Sequence, residues 1–335
     1  MAISWLKALK SLDWEVLSRA VEWLDSGYKA HLFTVVQTWG SAPRLPGALL
    51  VVRDDGHLIG SVSGGCIEDD LADKARNQEL PQSSSVMEYG VSRDDAHRFG
   101  IPCGGRLQVF VEPLHDSTQL LPLLQSIEQR KLIKRSVSLR TGQVKLTQVL
   151  PEGPPRIDGD WFHSYFGPQW RLLIIGANQL GSVLASMAQV LDFDVLICDP
   201  REEIRAEWHV EGVTWAYGMP DDVVLDINPD AYTAIVAVTH DPKLDDMALL
   251  EALKSDAFYV GALGSNKNQE KRRERMRMFD LSESEIASMR GPVGLPIGSR
   301  TPAEIAIAIL AELIQVRAQQ LKAGISSTSD VSCAA

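Results

Sequence analysis

Two cysteines stand where a thiol can meet a ligand. Cys66 follows a glycine pair and precedes three acids in GSVSGGCIEDD, residues 60–70, and Cys103 precedes a second glycine pair, Gly104-Gly105, in PCGG. Glycines let the main chain turn tightly and bring its amide groups close to a bound group. A thiol at a helix start has its pKa lowered by the positive end of the helix dipole, while Glu68, Asp69 and Asp70 pull the other way and stabilise the first turn. Packed cysteines normally sit among bulky apolar neighbours, as Cys198 does in VLICDP. The two glycine-flanked thiols favour a ligand- or sulfur-handling role over packing.

A second loop, TWGSAPRLPGA, sets Gly40, Ser41, Pro43, Arg44 and Gly47 just after a strand. Arg44 offers a planar fork of donors to a phosphate or carboxylate, and the glycines and prolines fix the loop around it. A third constellation is a dinucleotide fingerprint that lacks its middle glycine. RLLIIG runs into Gly176-Ala177-Asn178-Gln179-Leu180-Gly181, and Asp199 ends the next strand where a ribose-binding acid belongs. Asn178 puts a side chain where the pyrophosphate approaches the backbone, so NAD(P) binding is doubtful. His240 and Asp241 stand on the carboxyl edge of the same sheet, as members of a nucleotide site or as a loop histidine and a helix cap. The rival function on these residues is an NAD(P)-dependent oxidoreductase with Asp199 on the ribose and His240 as proton donor. The bases of NKNQEKRRERMRM, Lys271, Arg272, Arg273, Arg275 and Arg277, read as a solvated face, with a phosphate clamp as the alternative.

Two kinds of scaffold must position these residues. Apolar positions from Trp5 to Leu24 recur at helical spacing. HLFTVVQTW then reads as a buried strand, and GALLVVRDDGHLIGSVS as two strands joined through Asp54-Asp55-Gly56. Cys66 sits where the second hands over to a helix. SVMEYG and RLQVFVEP are further strands, the latter patterned as a half-buried edge; residues 119–131 are helical; KRSVSLRTGQVKLTQVL is a hairpin over Thr141-Gly142; PEGPPRIDGD is a turn before a strand at Trp161 to Phe166. From Arg171 short apolar runs alternate with helices, the signature of a parallel sheet covered on both faces. The expected fold is α/β: an N-terminal mixed α+β domain over 1–167, a Rossmann-like doubly wound parallel-sheet domain over 168–323, and a disordered polar tail over 324–335. Thr301, Pro302 and Glu304 give the last helix a capping box.

Composition narrows the partners. The 335 residues carry 33 Lys+Arg against 44 Asp+Glu, a formal net charge of −11, which repels nucleic acid and anionic membrane surfaces. The four cysteines are far apart with no C-x-x-C spacing, so neither a disulfide framework nor a closed zinc site is indicated. With no signal peptide and no run of 18 apolar residues, the expected location is the cytoplasm. A dimer is the commonest default.

Taken together, GSAPRLPGA, DDGHLIGSVSGGCIE, CGGRLQVFVEP, LLIIGANQLG, VTHD, YVGALGS and PVGLPIGSRTPAEIAIAILAE resemble, in order and across nearly the whole chain, the XdhC/CoxI family of accessory proteins that mature molybdenum hydroxylases. The resemblance implies a non-catalytic chaperone that binds molybdenum cofactor, as molybdopterin or its dinucleotide form. It would shield the cofactor, support its sulfuration with a cysteine desulfurase, and deliver it to an apo molybdenum hydroxylase such as xanthine dehydrogenase. Cofactor-synthesis enzymes are further implied partners. On that resemblance Gly40, Ser41, Arg44, Gly64, Gly65, Cys66, Cys103, Gly104 and Gly105 form the cofactor site, with Cys66 and Cys103 as molybdenum contacts. The family's fingerprint usually reads GAGHVG; Asn178 and Gln179 depart from it.

Overall fold

The structure is a computed structural model that describes residues 12–40, 44–90, 106–149 and 154–329, without the side chains of Cys66 and 321–329. The described residues divide into two compact units, one within Ser11–Pro168 and the other within Gln169–Ala335.

In the first unit, helix α1 (Leu12–Asp25) buries Val16, Leu17, Ala20 and Trp23, a single stripe at helical spacing. Strands β1 (Ala30–Trp39), β2 (Leu49–Arg53), β3 (Leu58–Gly60), β4 (Ser85–Tyr89) and β5 (Arg106–Leu114) form an antiparallel sheet in the order β3-β2-β1-β5-β4. Side chains alternate between its two faces. Ala30, Leu32, Leu49 and Val51 pack with α1, whereas Phe33, Val35, Leu50 and Val52 pack with Ile67, Leu71 and Ala75 of helix α2 (Cys66–Arg76). RLQVFVEP is therefore not an edge: β5 lies between β1 and β4. Its polar Glu112 is buried because Arg135 meets it at 2.6 Å.

Register decides what gathers at one end of this sheet. Trp39, the last residue of β1, pairs with Arg106, the first of β5, and Gly60, the last of β3, pairs with Leu50 near the start of β2. The segments after β1, after β3 and before β5 thus leave the sheet at the same end. Helix α3 (Leu121–Glu128) leads to a second antiparallel sheet, β7-β6-β9-β8, made of β6 (Ile133–Ser138), β7 (Val144–Gln148), β8 (Arg156–Asp158) and β9 (Trp161–Phe166). PEGPPRIDGD accordingly holds a short strand, β8, as well as a turn.

The second unit is built on five parallel strands: β10 (Arg171–Ile175), β11 (Asp194–Cys198), β12 (Thr214–Trp215), β13 (Thr233–Ala237) and β14 (Tyr259–Ala262), in the order β12-β11-β10-β13-β14. Every residue of β10, β13 and β14 is buried, as helices on both faces require. The connecting helices are α4 (Gln179–Val190), α5 (Glu202–Ala206), α6 (Pro220–Ile227), α7 (Pro242–Ala252), α8 (Asn266–Met276) and α9 (Glu283–Ser288). The strand order reverses between β10 and β13, the switch point of a Rossmann sheet. The final helix α10 (Pro302–Ser329) starts with the expected reciprocal cap, Thr301 N donating to Glu304 at 2.9 Å and Glu304 N to Thr301 at 3.3 Å. It runs on through residues 324–329, where composition alone predicts a polar tail; no proline stops it there. Among the described residues no helix is long and apolar enough to cross a membrane.

Candidate functional site

The GSVSGGCIE segment folds around its own acid. Glu68, in the first turn of α2, is 6% exposed, and six donors converge on its carboxylate. Oε1 accepts from Ser61 Oγ (2.7 Å), Val62 N (2.8 Å), Ser63 N (2.8 Å) and Gly64 N (3.0 Å), and Oε2 from Gly65 N (2.8 Å) and Ser63 Oγ. Burial opposes ionisation, but the donors from Ser63, Ser61 and Gly64 outweigh it and hold this carboxyl far below its ordinary value. The amides expected to face a ligand are thus filled by Glu68. Local sequence carried half of this signal, since Glu68 is three residues past the cap Gly65; the reach back to Ser61 needs the left-handed turn at Gly64 (φ 90°).

Arg44 joins this loop. Its Nε donates to Ser61 Oγ at 3.4 Å, and the same hydroxyl donates to Glu68, so the motif after β1 and the motif after β3 meet through one serine. Arg44, Gly64 and Gly65 are exposed, Gly40 turns the chain out of β1 at φ 72°, and Cys66 supplies the first residue of α2. Ser41, Pro43, Cys103, Gly104 and Gly105 lie outside the described residues, as do Cys333 and the remainder of 91–105. The start of β5 is described: the Arg106 guanidinium lies 5.0 Å over the Trp39 ring and pairs with Glu88 at 2.9 Å. At the neighbouring end of β4, Tyr89 donates to Asp70 of α2 at 3.1 Å. Beside Arg44 a cavity of about 420 Å³ opens between residues 44–48 and β9.

The fingerprint of the second unit is closed by its own side chains. Asn178 caps α4 by accepting from Gly181 N at 2.9 Å, and its amide donates to Val238 O at 2.5 Å, tying the β10 loop to the β13 loop. Gly176 and Gly181 are packing positions: a Cβ would meet Thr239 main chain at 2.9 Å from the first and Gly176 O at 2.1 Å from the second. Asp199 accepts from Ala177 N at 2.9 Å and pairs with both arms of Arg201, Nε at 2.8 Å and Nη2 at 2.6 Å, and its side chain has no exposed surface. Burial raises its pKa, yet Arg201 and Ala177 more than offset this and keep it below the ordinary value. The acid expected on a ribose is spent inside the protein. His240 is exposed at φ 65°, and Asp241 caps α7 through Lys243 N at 2.9 Å. Cys198 is buried, and that burial, with Asp199 and Asp221 nearby, pushes its thiol up to about 12.

The basic helix is also not a plain solvated face. Arg272 is 5% exposed and holds Asp245 (2.9 Å), Asp246 (2.9 Å) and Leu263 O (3.1 Å), while Thr239 N and Oγ1 donate to Asp245 at 3.1 and 2.8 Å. Sequence pattern does not reveal this buried network because its acids lie on α7, 26 and 27 residues away. Among the described residues no group of three or more His, Cys, Asp or Glu side chains could hold a metal ion.

Residues 23–90 match the XdhC and CoxI family, and residues 172–313 match the XdhC Rossmann domain. The chain is 31% identical to the molybdenum cofactor insertion chaperone PaoD of Escherichia coli K12, covering 91% of this chain and 89% of that protein. It is 25% identical to a Bacillus subtilis 168 protein named as a probable xanthine dehydrogenase subunit, covering 88% of this chain and 95% of that protein. A solved structure described as a xanthine dehydrogenase from Bacillus halodurans shares the fold, with a TM-score of 0.73 at 24% identity over 92% of this chain and 96% of that one.

Proposed function

The chain belongs to the XdhC and CoxI family, and from that premise we propose that it is a molybdenum cofactor chaperone: it binds the cofactor, protects it, supports its sulfuration and inserts it into a xanthine dehydrogenase or aldehyde oxidoreductase type of apo-enzyme. It acts as an accessory protein and not as a catalyst. The observation that carries the reading is the meeting of Arg44 with the Ser61–Cys66 loop at the one end of the first sheet from which β5 also departs. A phosphate-bearing pterin dithiolene asks for a cation and for soft sulfur, and Arg44, Cys66 and Cys103 are of those types. Gly40, Ser41, Gly64, Gly65, Gly104 and Gly105 would let main chain approach it closely. A cysteine desulfurase and cofactor-synthesis enzymes would be its suppliers, in the cytoplasm, with a homodimer as the default assembly.

The oxidoreductase alternative loses support from the Asp199–Arg201 pair and the Asn178 cap. The test is direct. Protein purified from cells that make the cofactor is assayed for molybdenum and for oxidised pterin fluorescence, and partner hydroxylase activity is followed in a deletion strain. The proposal expects both signals and a hydroxylase deficit; a folded protein lacking both signals, beside normal hydroxylase activity, refutes it.

A further inference from the structure

We infer that the cavity between residues 44–48 and β9 seats a flat nitrogen heterocycle with an anionic tail, the pterin of the proposed cargo, and that Arg44 takes the tail. This rests on the chaperone reading and adds to it the place of the ring. At about 420 Å³ the cavity falls in the size range of small-molecule sites. Its walls include Leu45, Pro46, Pro155 and Phe166, and its lining carries both signs of charge, Asp13 and Arg44. With Ser164 and Tyr165 also in the lining, polar and apolar surface meet there in about equal share, which suits a ring that has two apolar faces and a donor and acceptor edge. The wall is closely built: Gly47, at φ 96°, brings main chain so near Pro155 that a Cβ would stand 2.9 Å from its Cγ.

The tail is assigned by elimination among neighbouring groups. The adjoining amide cradle already holds Glu68, so an anion arriving there meets a carboxylate. Arg44 is exposed, and among the described residues its guanidinium makes one long hydrogen bond, from Nε to Ser61 at 3.4 Å. It therefore keeps donors to give to a phosphate or carboxylate.

Fluorescence titration of the full chain with pterin-6-carboxylate and with unsubstituted pterin tests the assignment. Wild type should bind both, the acid more tightly. Arg44→Gln should weaken the acid about tenfold and leave unsubstituted pterin within about twofold, the signature of a lost charge contact. Leu45→Trp, at a lining position that is 76% exposed and so carries no fold, should weaken both about tenfold. Unchanged affinity of the acid in both variants overturns the cavity, as does absence of all pterin binding by protein that otherwise acquires molybdenum and pterin in cells; in the latter case the chaperone reading stands. The reverse pattern, pterins bound as expected by protein that never acquires molybdenum, supports the cavity and sinks the chaperone reading.

Discussion

The Gly65 amide donates to Glu68 Oε2 at 2.8 Å, three residues ahead of it, and closes a loop whose other amides point at the same carboxylate. The helix that Cys66 opens thus begins beside a buried negative charge supplied by the chain itself. A glycine-rich turn at a helix start commonly cradles a ligand's anion; here Glu68 takes that place and fixes the turn.

Glu68→Gln should lower stability by about 2–4 kcal/mol, because the amide keeps one acceptor oxygen and turns its NH2 group toward donors. Urea unfolding measures it. The pH dependence has a definite sign. The folded pKa lies below the ordinary 4.5, so the charge contributes its full stability above that value and loses it as pH falls toward the folded pKa. Wild type should weaken progressively below about pH 4.5, and the variant should show a shallower acid slope. Parallel acid limbs would show that Glu68 does not carry this dependence.

Cys66→Ser and Cys103→Ser should each reduce the molybdenum and pterin that copurify with the protein while circular dichroism stays unchanged. Serine nearly keeps the size of the side chain but is a hard oxygen ligand with a far higher pKa, so the proposed soft-metal and sulfur contacts would be lost at almost constant volume. Full loading of the double variant would remove both thiols from the mechanism.

NADH should not bind. A ribose that displaced Arg201 from Asp199 would have to break two contacts of 2.6 and 2.8 Å, and the pyrophosphate would meet the Asn178 side chain that caps α4. Titration followed by nicotinamide fluorescence should give no saturation to about 1 mM, which corresponds to binding weaker than about −4 kcal/mol. Saturable micromolar binding would restore the nucleotide role of Gly176, Gly181, Asp199, His240 and Asp241.

Local pattern carried the second unit well. LLII, VLIC and AIVA are continuous apolar runs that only a doubly covered sheet buries, and β10, β11 and β13 occupy them. Cys198 read as core and is core. What escaped was set by partners distant in sequence. Glu112 gave β5 the look of an edge strand, since the Arg135 that neutralises it sits 23 residues on in another sheet. Arg106 and Gln108 strengthened that impression, although both reach sideways to Glu88 of β4. The PEGPPRIDGD turn concealed β8 because Arg156, Ile157 and Asp158 are exposed and show no apolar alternation.

Arg272 offers the sharpest stability test in the second unit. A run of bases on a helix is ordinarily solvated, and replacing one then costs within about 0.5 kcal/mol. Arg272 is different in kind: it sits 5% exposed against Asp245, 2% exposed, whose pKa burial raises and whose ionised form depends on Thr239 and Arg272. Arg272→Met leaves that buried acid without its cation and should cost about 3–5 kcal/mol, whereas Lys271→Met, on the exposed neighbouring position, should cost almost nothing. Arg272→Lys should recover little, because one ammonium cannot hold Asp245, Asp246 and Leu263 O from three separate nitrogens of a planar fork. Adding Asp245→Asn to Arg272→Met should win back part of the loss, since it removes the stranded charge. Chemical unfolding of the four variants reads each value, and equal small losses at 271 and 272 would place Arg272 in solvent after all.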